Sequence, residues 1–453
     1  MDSPRPSAPS APRPPLLNRA LLLRFVSMVG ASVSFFLLLS AVPAHAGPGG
    51  AGLATGALML STVLGELSGP RILARYGNRG PLAAGLFLLG APALALPVSG
   101  APAWTAAMCL ARGLGFALTL VAGGALTAAL IPPERRAEGL ALVGVAGGVP
   151  SLVALPLGVW LTGTIGYTPV TVAAGLAALA TIPTVPGLRE QGVSGGGAGQ
   201  PAGAWEVTGV REEMSGDPAT ATGDRDRATD GGTRALGGGA QDPGSEGRAL
   251  GMVAAMRDAG LRRPTVVFAA TALAAGILVT FLPLAVPRAS AGVVTVALLV
   301  QSAAATAARW AAGRYGDRRG SSRLVAPGLL ASAAGLSAMA ATSRPVAVLA
   351  GAAVFGTGFG VTQNATLALL YSRVSRPSYG TVTALWNLAY DGGMGVGAAG
   401  YGLLTAHTGY AWGFALTAVL MLGAWGPAVR DRRAQEGRRP ENRRVPLHTE
   451  EPR

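Results

Sequence analysis

Four ionisable residues lie inside long apolar runs of the sequence: Glu66, Arg112, Arg309 and Asp391. If these runs cross a lipid bilayer, each charge in the hydrocarbon costs several kcal/mol, on the order of 3 by insertion scales. Charged residues in such positions pair with one another or take part in moving ions and protons. We therefore treat these four as the first candidates for chemistry.

Asp391 is the clearest candidate for proton transfer. It lies about thirteen residues into the apolar run 379–404, and Asn387 precedes it by one helical turn on the same face. Burial disfavours the charged form of a carboxyl, whereas an amide can donate to the carboxylate or accept from the acid. The pattern predicts a protonation site at Asp391, and a buried structural carboxyl is the alternative.

The elements that position these residues are apolar segments of about the 20 residues that a bilayer core requires. The sequence predicts twelve such spans, six before and six after a polar stretch: 19–41, 52–72, 81–98, 103–130, 139–162, 168–187, and then 263–286, 290–312, 323–342, 345–371, 379–404 and 408–428. The predicted organisation is a disordered tail, a six-helix unit, a disordered linker, a second six-helix unit and a basic tail, at 1–18, 19–188, 189–258, 259–431 and 432–453. The fold class is therefore an all-α polytopic membrane protein.

Composition supports a membrane protein and excludes several other classes. Half of the residues are hydrophobic and 13% are charged, far below the roughly 25% of a soluble domain. All 36 basic residues are Arg, which together with abundant Ala, Gly and Pro suggests a GC-rich bacterial genome. One Cys excludes an internal disulfide framework and a cysteine-based metal site, and the three His residues lack metal-ligand spacing. We predict no metal and no cofactor.

The chain also contains an internal repeat. An offset of 243 residues aligns several short matches: 75–77 with 318–320, 113–116 with 356–359, 161–162 with 404–405, and 166–167 with 409–410. The two six-helix units are therefore predicted to be homologous. The same offset places Glu66 on Arg309, which suggests a fixed salt bridge between the units or one that breaks and reforms. A pair between Glu66 and Arg112 is a third alternative. Glu66 is also the next candidate for proton coupling after Asp391.

Arginine placement predicts the topology. Arginines concentrate in alternate loops and in the C-terminal tail, whereas the remaining loops hold only Arg288 and Arg344. The positive-inside rule then places both termini and the linker in the cytoplasm of a bacterial cell membrane. Because topology explains the net charge of +14, no nucleic-acid partner is implied. Arg24 is predicted to reach the membrane interface. The segment Ala44-His45-Ala46 resembles a signal-peptide cleavage site. We expect the span before it to be retained as the first helix rather than cleaved.

One motif identifies a family. The segment Gly313-Arg-Tyr-Gly-Asp317-Arg318-Arg319-Gly320-Ser-Ser-Arg323 resembles the loop signature of the major facilitator superfamily, and the chain resembles its bacterial drug and metabolite efflux members. The resemblance implies the twelve-helix fold of that family, with this loop acting as a latch between the two units. The first unit keeps part of the motif as Arg75, Gly77 and Arg79. The candidates for a gating or latch role are therefore the residues of both copies of the motif, together with Arg309.

The resemblance also suggests residues of the transport path. Arg112 begins Arg-Gly-Leu-Gly-Phe-Ala, which is similar to an arginine motif of the fourth helix that is associated with proton coupling; a structural arginine bound to backbone carbonyls is the alternative. Helices 1, 4, 7 and 10 line the cavity in the family, which makes Gln363 and Asn364 candidates for substrate contact. Asn387, Trp386 and Tyr390 are added as cavity candidates, although the two aromatic residues also fit a packing role.

These features predict a secondary transporter rather than an enzyme, since no nucleotide-binding loop, HExxH segment or nucleophile elbow is found. The favoured hypothesis is proton-coupled export of a small amphipathic or apolar compound by a monomer in the lipid bilayer. Proton-coupled uptake is the alternative within the class, and a transport-inactive membrane sensor or scaffold is the alternative outside it.

Overall fold

A computed structural model describes residues 18–131, 135–188 and 250–436, and these residues are almost entirely helical. The first unit contains α1 to α5, at Arg19–Tyr76, Arg79–Ala95, Pro102–Leu130, Arg136–Thr164 and Tyr167–Leu179. The second unit begins with a short helix, α6 (Met252–Arg257), and continues with α7 to α13, at Ala259–Ala285, Ala291–Arg319, Ser322–Met339, Pro345–Tyr371, Tyr379–Thr408, Tyr410–Leu422 and Trp425–Glu436. Nine of the described helices are long and apolar enough to cross a membrane.

Helix α1 supplies two of the twelve spans because it bends at Gly47, whose φ of 68° is not helical. Its first arm, 19–46, runs antiparallel to α3, since Arg24 contacts Gly123 and Arg112 contacts Ser34. Its second arm, 48–76, runs parallel to α3, as the contact of Gly65 with Ala117 and the contact of Gly69 with Val121 show. The two arms are therefore antiparallel to each other, and each corresponds to one predicted span.

The internal repeat is visible in the backbone. Positive-φ glycines end the same elements in both units, Gly77 and Gly320 after one helix, and Gly166 and Gly409 between two others. Close helix contacts repeat as well. A Cβ on Gly113 would meet the carbonyl oxygen of Leu58 at 2.1 Å, and a Cβ on Gly356 would meet that of Gln301 at 2.3 Å. Since Gly356 and Gln301 follow Gly113 and Leu58 by 243 residues, the two units share one packing plan.

Small residues make this packing possible. The backbones of α2 and α3 approach at Gly85 and Gly115, and the equivalent helices α9 and α10 approach at Gly328 and Gly358. In a bilayer, helix association depends on van der Waals contact between close backbones rather than on hydrophobic burial. The abundance of glycine noted in the sequence therefore serves helix packing.

The structure differs from the predicted boundaries at several places. Helix α8 continues to Arg319, so most of the predicted loop motif is helical and only Gly320 and Ser321 connect α8 to α9. The last predicted span is divided into α12 and α13, and α13 extends into the predicted C-terminal tail. Residues 250–258, which we assigned to the disordered linker, include α6, and the carbonyl of Leu250 accepts a hydrogen bond from Thr381 Oγ1 at 2.6 Å. The remainder of the linker prediction, the N-terminal tail before residue 18 and the C-terminal tail after 436 lie outside the described residues.

Candidate functional site

A cavity lies between the two six-helix units. It contains about 600 Å³ that no protein atom occupies, including its open mouth. The first unit contributes Phe36 and Leu39 from α1 and Ser151, Leu152 and Leu155 from α4; the second contributes Ala275, Val279, Gln301, Ser302, Ala305, Thr306, Arg309, Phe359, Tyr390 and Met394. Because both units form its walls, any movement of one unit against the other changes the shape of the cavity.

Helix α8 provides the polar wall of this cavity. Gln301, Ser302, Thr306 and Arg309 line it together, since a spacing of four to five and then three residues returns to one helix face. The Ser302 hydroxyl donates to Gln301 Oε1 at 3.4 Å. Of these residues, sequence reasoning had singled out only Arg309, as a gating residue. The signal for the other three was present as polar residues at helical spacing within an apolar span.

Aromatic side chains form another wall. Phe359 and Tyr390 line the cavity, with ring centroids 6.3 Å apart. Behind them, Phe268 stacks on Trp386 with centroids 4.5 Å apart and an interplanar angle of 12°. Tyr390 therefore faces the cavity as a substrate candidate, whereas Trp386, 2% exposed, belongs to the packing behind it.

The two units contact each other through a polar pair near one end of the bundle, the end that carries Arg75 and Arg319. Here Asn387 Nδ2 of α11 donates to Glu66 Oε1 of α1 at 3.5 Å. Asp391 is buried one helical turn further along α11, on the same face as Asn387. The structure thus places Glu66 of the first unit in contact with an amide of the second unit that precedes Asp391 by one helical turn.

At the opposite end of the bundle the same two helices are in backbone contact. A Cβ on Gly52 would lie 2.6 Å from the carbonyl oxygen of Ala398. Midway between the two ends, a Cβ on Gly395 would lie 2.8 Å from Met59 Cβ. In addition, the Thr280 hydroxyl of α7 donates to Thr55 Oγ1 at 3.0 Å. The contact between the units therefore extends along most of the second arm of α1.

Comparison with known proteins decides the family. The sequence model of the Major Facilitator Superfamily matches residues 20–286 and 264–451, which together cover most of the chain. The chain belongs to the Major Facilitator Superfamily. It is accordingly a multi-pass membrane protein and a secondary transporter, and it is not an enzyme. No curated protein sequence matches it.

Solved structures of this superfamily share the fold. A structure of the nucleoside transporter NupG superposes with a TM-score of 0.67 at 10% identity, covering 92% of this chain and 100% of that chain. A point mutant of NupG gives a TM-score of 0.60 at 12% identity, covering 93% and 99%. Identity this low shows the fold alone. The predicted fold class is confirmed, while the resemblance to efflux members within the superfamily is not.

The predicted superfamily arginine, Arg112, is held by backbone oxygens. Its Nη2 donates to Ser34 O at 2.8 Å and its Nε donates to Leu89 O at 3.3 Å. It does not pair with Glu66, so the third alternative for that acid is wrong.

Arg24 also differs from its predicted position. It is 4% exposed and donates to Gly123 O and Thr127 Oγ1 of α3. Arg24 therefore links α1 to α3 by hydrogen bonds and does not reach the membrane interface.

The superfamily loop motif lies at the end of α8. Gly313 is buried, whereas Asp317, Arg318, Gly320 and Arg323 are exposed. Within the described residues no hydrogen bond or ion pair joins Asp317 to another residue, and Arg319 stacks over the Tyr315 ring at 5.3 Å. In the first unit, Gly77 ends α1, Arg75 lies 5.4 Å from the Tyr76 ring and Arg79 begins α2. A latch role for these residues stays a prediction.

The remaining cavity candidates are buried beside the cavity. Gln363 and Asn364 of α10 are 2% and 6% exposed and are not among the lining residues. Phe359, one turn before Gln363 on the same face of α10, is the residue of this helix that lines the cavity. Among the described residues, no group of three or more potential ligands could hold a metal ion.

Proposed function

We propose that this protein couples the entry of protons to the export of a small amphipathic compound, by alternating access of one central cavity. In this proposal the protein works as a monomer in a bacterial cytoplasmic membrane, with both termini in the cytoplasm. The observation that carries it is the cavity between the units, whose walls are apolar and aromatic except for one polar face on α8 and Ser151 of α4. Such a wall suits a compound with an extended apolar surface and few polar groups.

Alternating access is supported by the contacts around this cavity. The second arm of α1 and α11 are in contact both at Gly52 and at Glu66. A rocking motion of the two units changes these contacts in opposite senses, because each helix continues between the two positions without a break. Secondary transporters of this general design move one repeat against the other around a fixed central site.

The proton site in this proposal is Asp391, assisted by Asn387 and Glu66. The Asp391 carboxyl is 7% exposed, and ionisable residues buried within membrane-spanning helices commonly take part in proton relays. The neighbouring amide can hydrogen-bond either form, and it contacts the acid of the opposite unit. Protonation of Asp391 therefore alters the surroundings of a contact that joins the units, which is the requirement for coupling.

The experiment is transport by purified protein in liposomes, using a panel of amphipathic dyes. In inside-out vesicles, whose lumen faces the periplasmic side of the protein, a pH gradient with an acidic lumen should drive accumulation, and the sign of the response gives the direction. Asp391→Asn should retain downhill exchange and lose accumulation against a gradient. Glu138→Gln serves as the matched control, because it removes an exposed carboxylate of α4 that pairs with Arg135.

Three results would contradict all or part of the proposal. Accumulation by Asp391→Asn at the wild-type level would move the proton site to another residue, with Glu66 next. Failure of every dye to respond to a pH gradient, despite normal downhill exchange, would exclude proton coupling. Uptake in place of export would reverse the direction and leave the coupling site in place.

A nucleoside-like solute is a second candidate cargo. The aromatic wall formed by Phe359 and Tyr390 favours it, because planar rings stack on aromatic side chains and Gln301 offers a polar partner beside them. The fold is shared with a nucleoside transporter. Competition between uridine or adenosine and the dyes in the same liposomes tests this candidate, and the absence of competition at millimolar nucleoside would reject it.

A further inference from the structure

One side of α8 carries an exposed stripe that the proposed transport function does not use. Its members follow one another at intervals of three or four residues, so they lie on one face of the helix. They are Val296, Leu299, Ala303, Ala307, Trp310, Arg314 and Arg318, and all are exposed. The buried residues of α8, among them Gln301 and Ala305, lie on the opposite side, where α10 packs. The stripe therefore faces outward from the bundle.

The chemistry of the stripe changes along the helix. From Val296 to Trp310 its members are apolar and the helix rises about 21 Å, which is more than the roughly 15 Å of half a bilayer core. Tryptophan is enriched where the membrane meets water, and Trp310 is 61% exposed. Arg314 follows one turn later, about 6 Å further along. The order apolar, aromatic and cationic matches the order of acyl chain, interface and phosphate in a phospholipid.

Trp310 positions the guanidinium of Arg314. The Cζ atom of Arg314 lies 4.7 Å from the centroid of the Trp310 ring, within range of a cation–π contact. A guanidinium carries five N–H donors in one plane. Within the part of the chain that the structure describes, Arg314 makes no ion pair, and Asp317, the acid nearest to it in sequence, does not pair with it. The stripe therefore presents an oriented cation whose donors are open to an acceptor.

The depth of Arg314 and the sign of the stripe select this acceptor. At the edge of an apolar span the acceptors within reach are lipid phosphates, and arginine binds phosphate through two parallel N–H donors. Arg314 and Arg318 outnumber the single acid Asp317, so this end of the stripe is positive. A headgroup that also carries an ammonium group loses part of its attraction to two arginines, whereas an anionic headgroup keeps all of it.

The internal repeat provides a comparison. The offset of 243 residues places Leu67 of the first unit on Trp310 and Arg71 on Arg314. Both first-unit side chains are exposed, but a leucine offers no aromatic ring to a guanidinium. The first unit thus has the equivalent arginine without the residue that positions it.

We propose that the stripe on α8 binds one phospholipid with an anionic headgroup. Arg314 binds the phosphate, Trp310 holds the guanidinium in place, and the acyl chains lie along the apolar part of the stripe. The inference goes beyond the proposed export function and depends on neither the cargo nor the proton. Because another face of α8 forms the polar wall of the central cavity, the lipid contacts a helix of the transport path.

The test is a lipid titration of the purified full-length protein in detergent, read by native mass spectrometry. Phosphatidylglycerol is compared with phosphatidylcholine of the same acyl chains, and the dissociation constant of the first adduct is measured. We expect the wild type to prefer phosphatidylglycerol. Arg314→Gln should weaken phosphatidylglycerol binding about fivefold, the contribution of one arginine near an anionic surface, and should lose most of the preference. Arg71→Gln is the matched control and should bind as the wild type does.

Two variants examine the positioning role of Trp310. Trp310→Leu, which introduces the residue that the first unit has, should weaken phosphatidylglycerol binding about two- to fivefold, the range of an exposed cation–π contact. Trp310→Phe keeps a ring under the guanidinium and should recover most of the affinity. The substituted side chains are exposed, so all variants should show the thermal transition of the wild type.

Four outcomes would overturn the proposal. Equal affinity of the wild type for the two lipids would show that headgroup charge is not recognised. Wild-type affinity in Arg314→Gln would remove the phosphate ligand, and an equal loss in Arg314→Gln and Arg71→Gln would indicate general surface charge instead of a site. Displacement of the lipid by millimolar inorganic phosphate would assign Arg314 to a soluble anion.

Discussion

The contact of Gly52 with α11 offers the sharpest test of a rocking mechanism. An added methyl group at this position would lie 2.6 Å from the carbonyl oxygen of Ala398 and 3.4 Å from the Phe281 ring. The first neighbour is backbone, which cannot turn away as a side chain can. The two helices would have to separate by about 0.8 Å before the new contact reached an ordinary distance, and overpacking of this kind costs about 1–3 kcal/mol.

That cost falls only on conformations in which α1 and α11 touch at this end. In Gly52→Ala the equilibrium should therefore shift toward the state that is open here, by about 5- to 150-fold for 1–3 kcal/mol. A reporter cysteine at Val279, which lines the cavity, can detect the shift after Cys109→Ala removes the only native cysteine. Labelling by a membrane-impermeant maleimide added from this side should become faster, and substrate turnover should fall.

Gly49→Ala is the matched control. It lies three residues earlier on the same arm of α1, and an added methyl would meet nothing within 4 Å. It should leave both labelling and turnover unchanged. Thermal unfolding should first show that both variants are folded. Equal labelling rates in Gly52→Ala and Gly49→Ala would then show that these helices do not separate during transport and would refute the rocking interpretation.

Three further predictions concern the end that carries the arginines. Asp431→Asn should lower the free energy of unfolding by up to about 3 kcal/mol, since Asp431 makes a bidentate pair at 2.8 Å with the largely buried Arg373; an unchanged thermal transition in detergent would contradict this. Asn387→Ala removes a donor to Glu66 and should increase cysteine labelling from this end about fivefold, for roughly 1 kcal/mol; wild-type labelling would argue against a gating contact. Asp317→Asn should slow turnover with little change in KM, because Asp317 is exposed and remote from the cavity; a large rise in KM at normal turnover would exclude a latch.

The sequence predicted the helical fold well because its signals are local or repeated. Apolar length identifies spans, and the repeat offset aligned Gly166 with Gly409 before the structure showed a positive φ at both. Helix ends were less accurate. Arg314 to Arg319 look like a loop by charge, but they continue α8 as its last turns, because a helix need not end where the bilayer does.

The site was predicted only in part. Glu66, Asn387 and Asp391 were recognised because a charge or amide in an apolar run is conspicuous, and Asn387 does contact Glu66. Gln301 and Thr306 were missed, since uncharged polar residues are common in helices and only the three-dimensional packing shows which face meets the other unit. Arg24 was misplaced for a related reason: its partners, Gly123 and Thr127, are about 100 residues away and have no local signature.

The placement of Asp391 on α11 connects the proposed proton site to the proposed motion. Gly395, one turn beyond Asp391, packs against Met59, while Asn387, one turn before it, contacts Glu66. From Gly395 to Asn387 the helix rises about 12 Å, so a small tilt about the Gly395 contact moves Asn387 away from Glu66 and presses Ala398 toward Gly52, or the reverse. Asp391 lies halfway between Gly395 and Asn387, about 6 Å from the pivot, so it moves about half as far as Asn387, and the side from which water reaches it changes with the tilt. A carboxyl in that position can take a proton from one side and release it to the other without crossing the membrane itself.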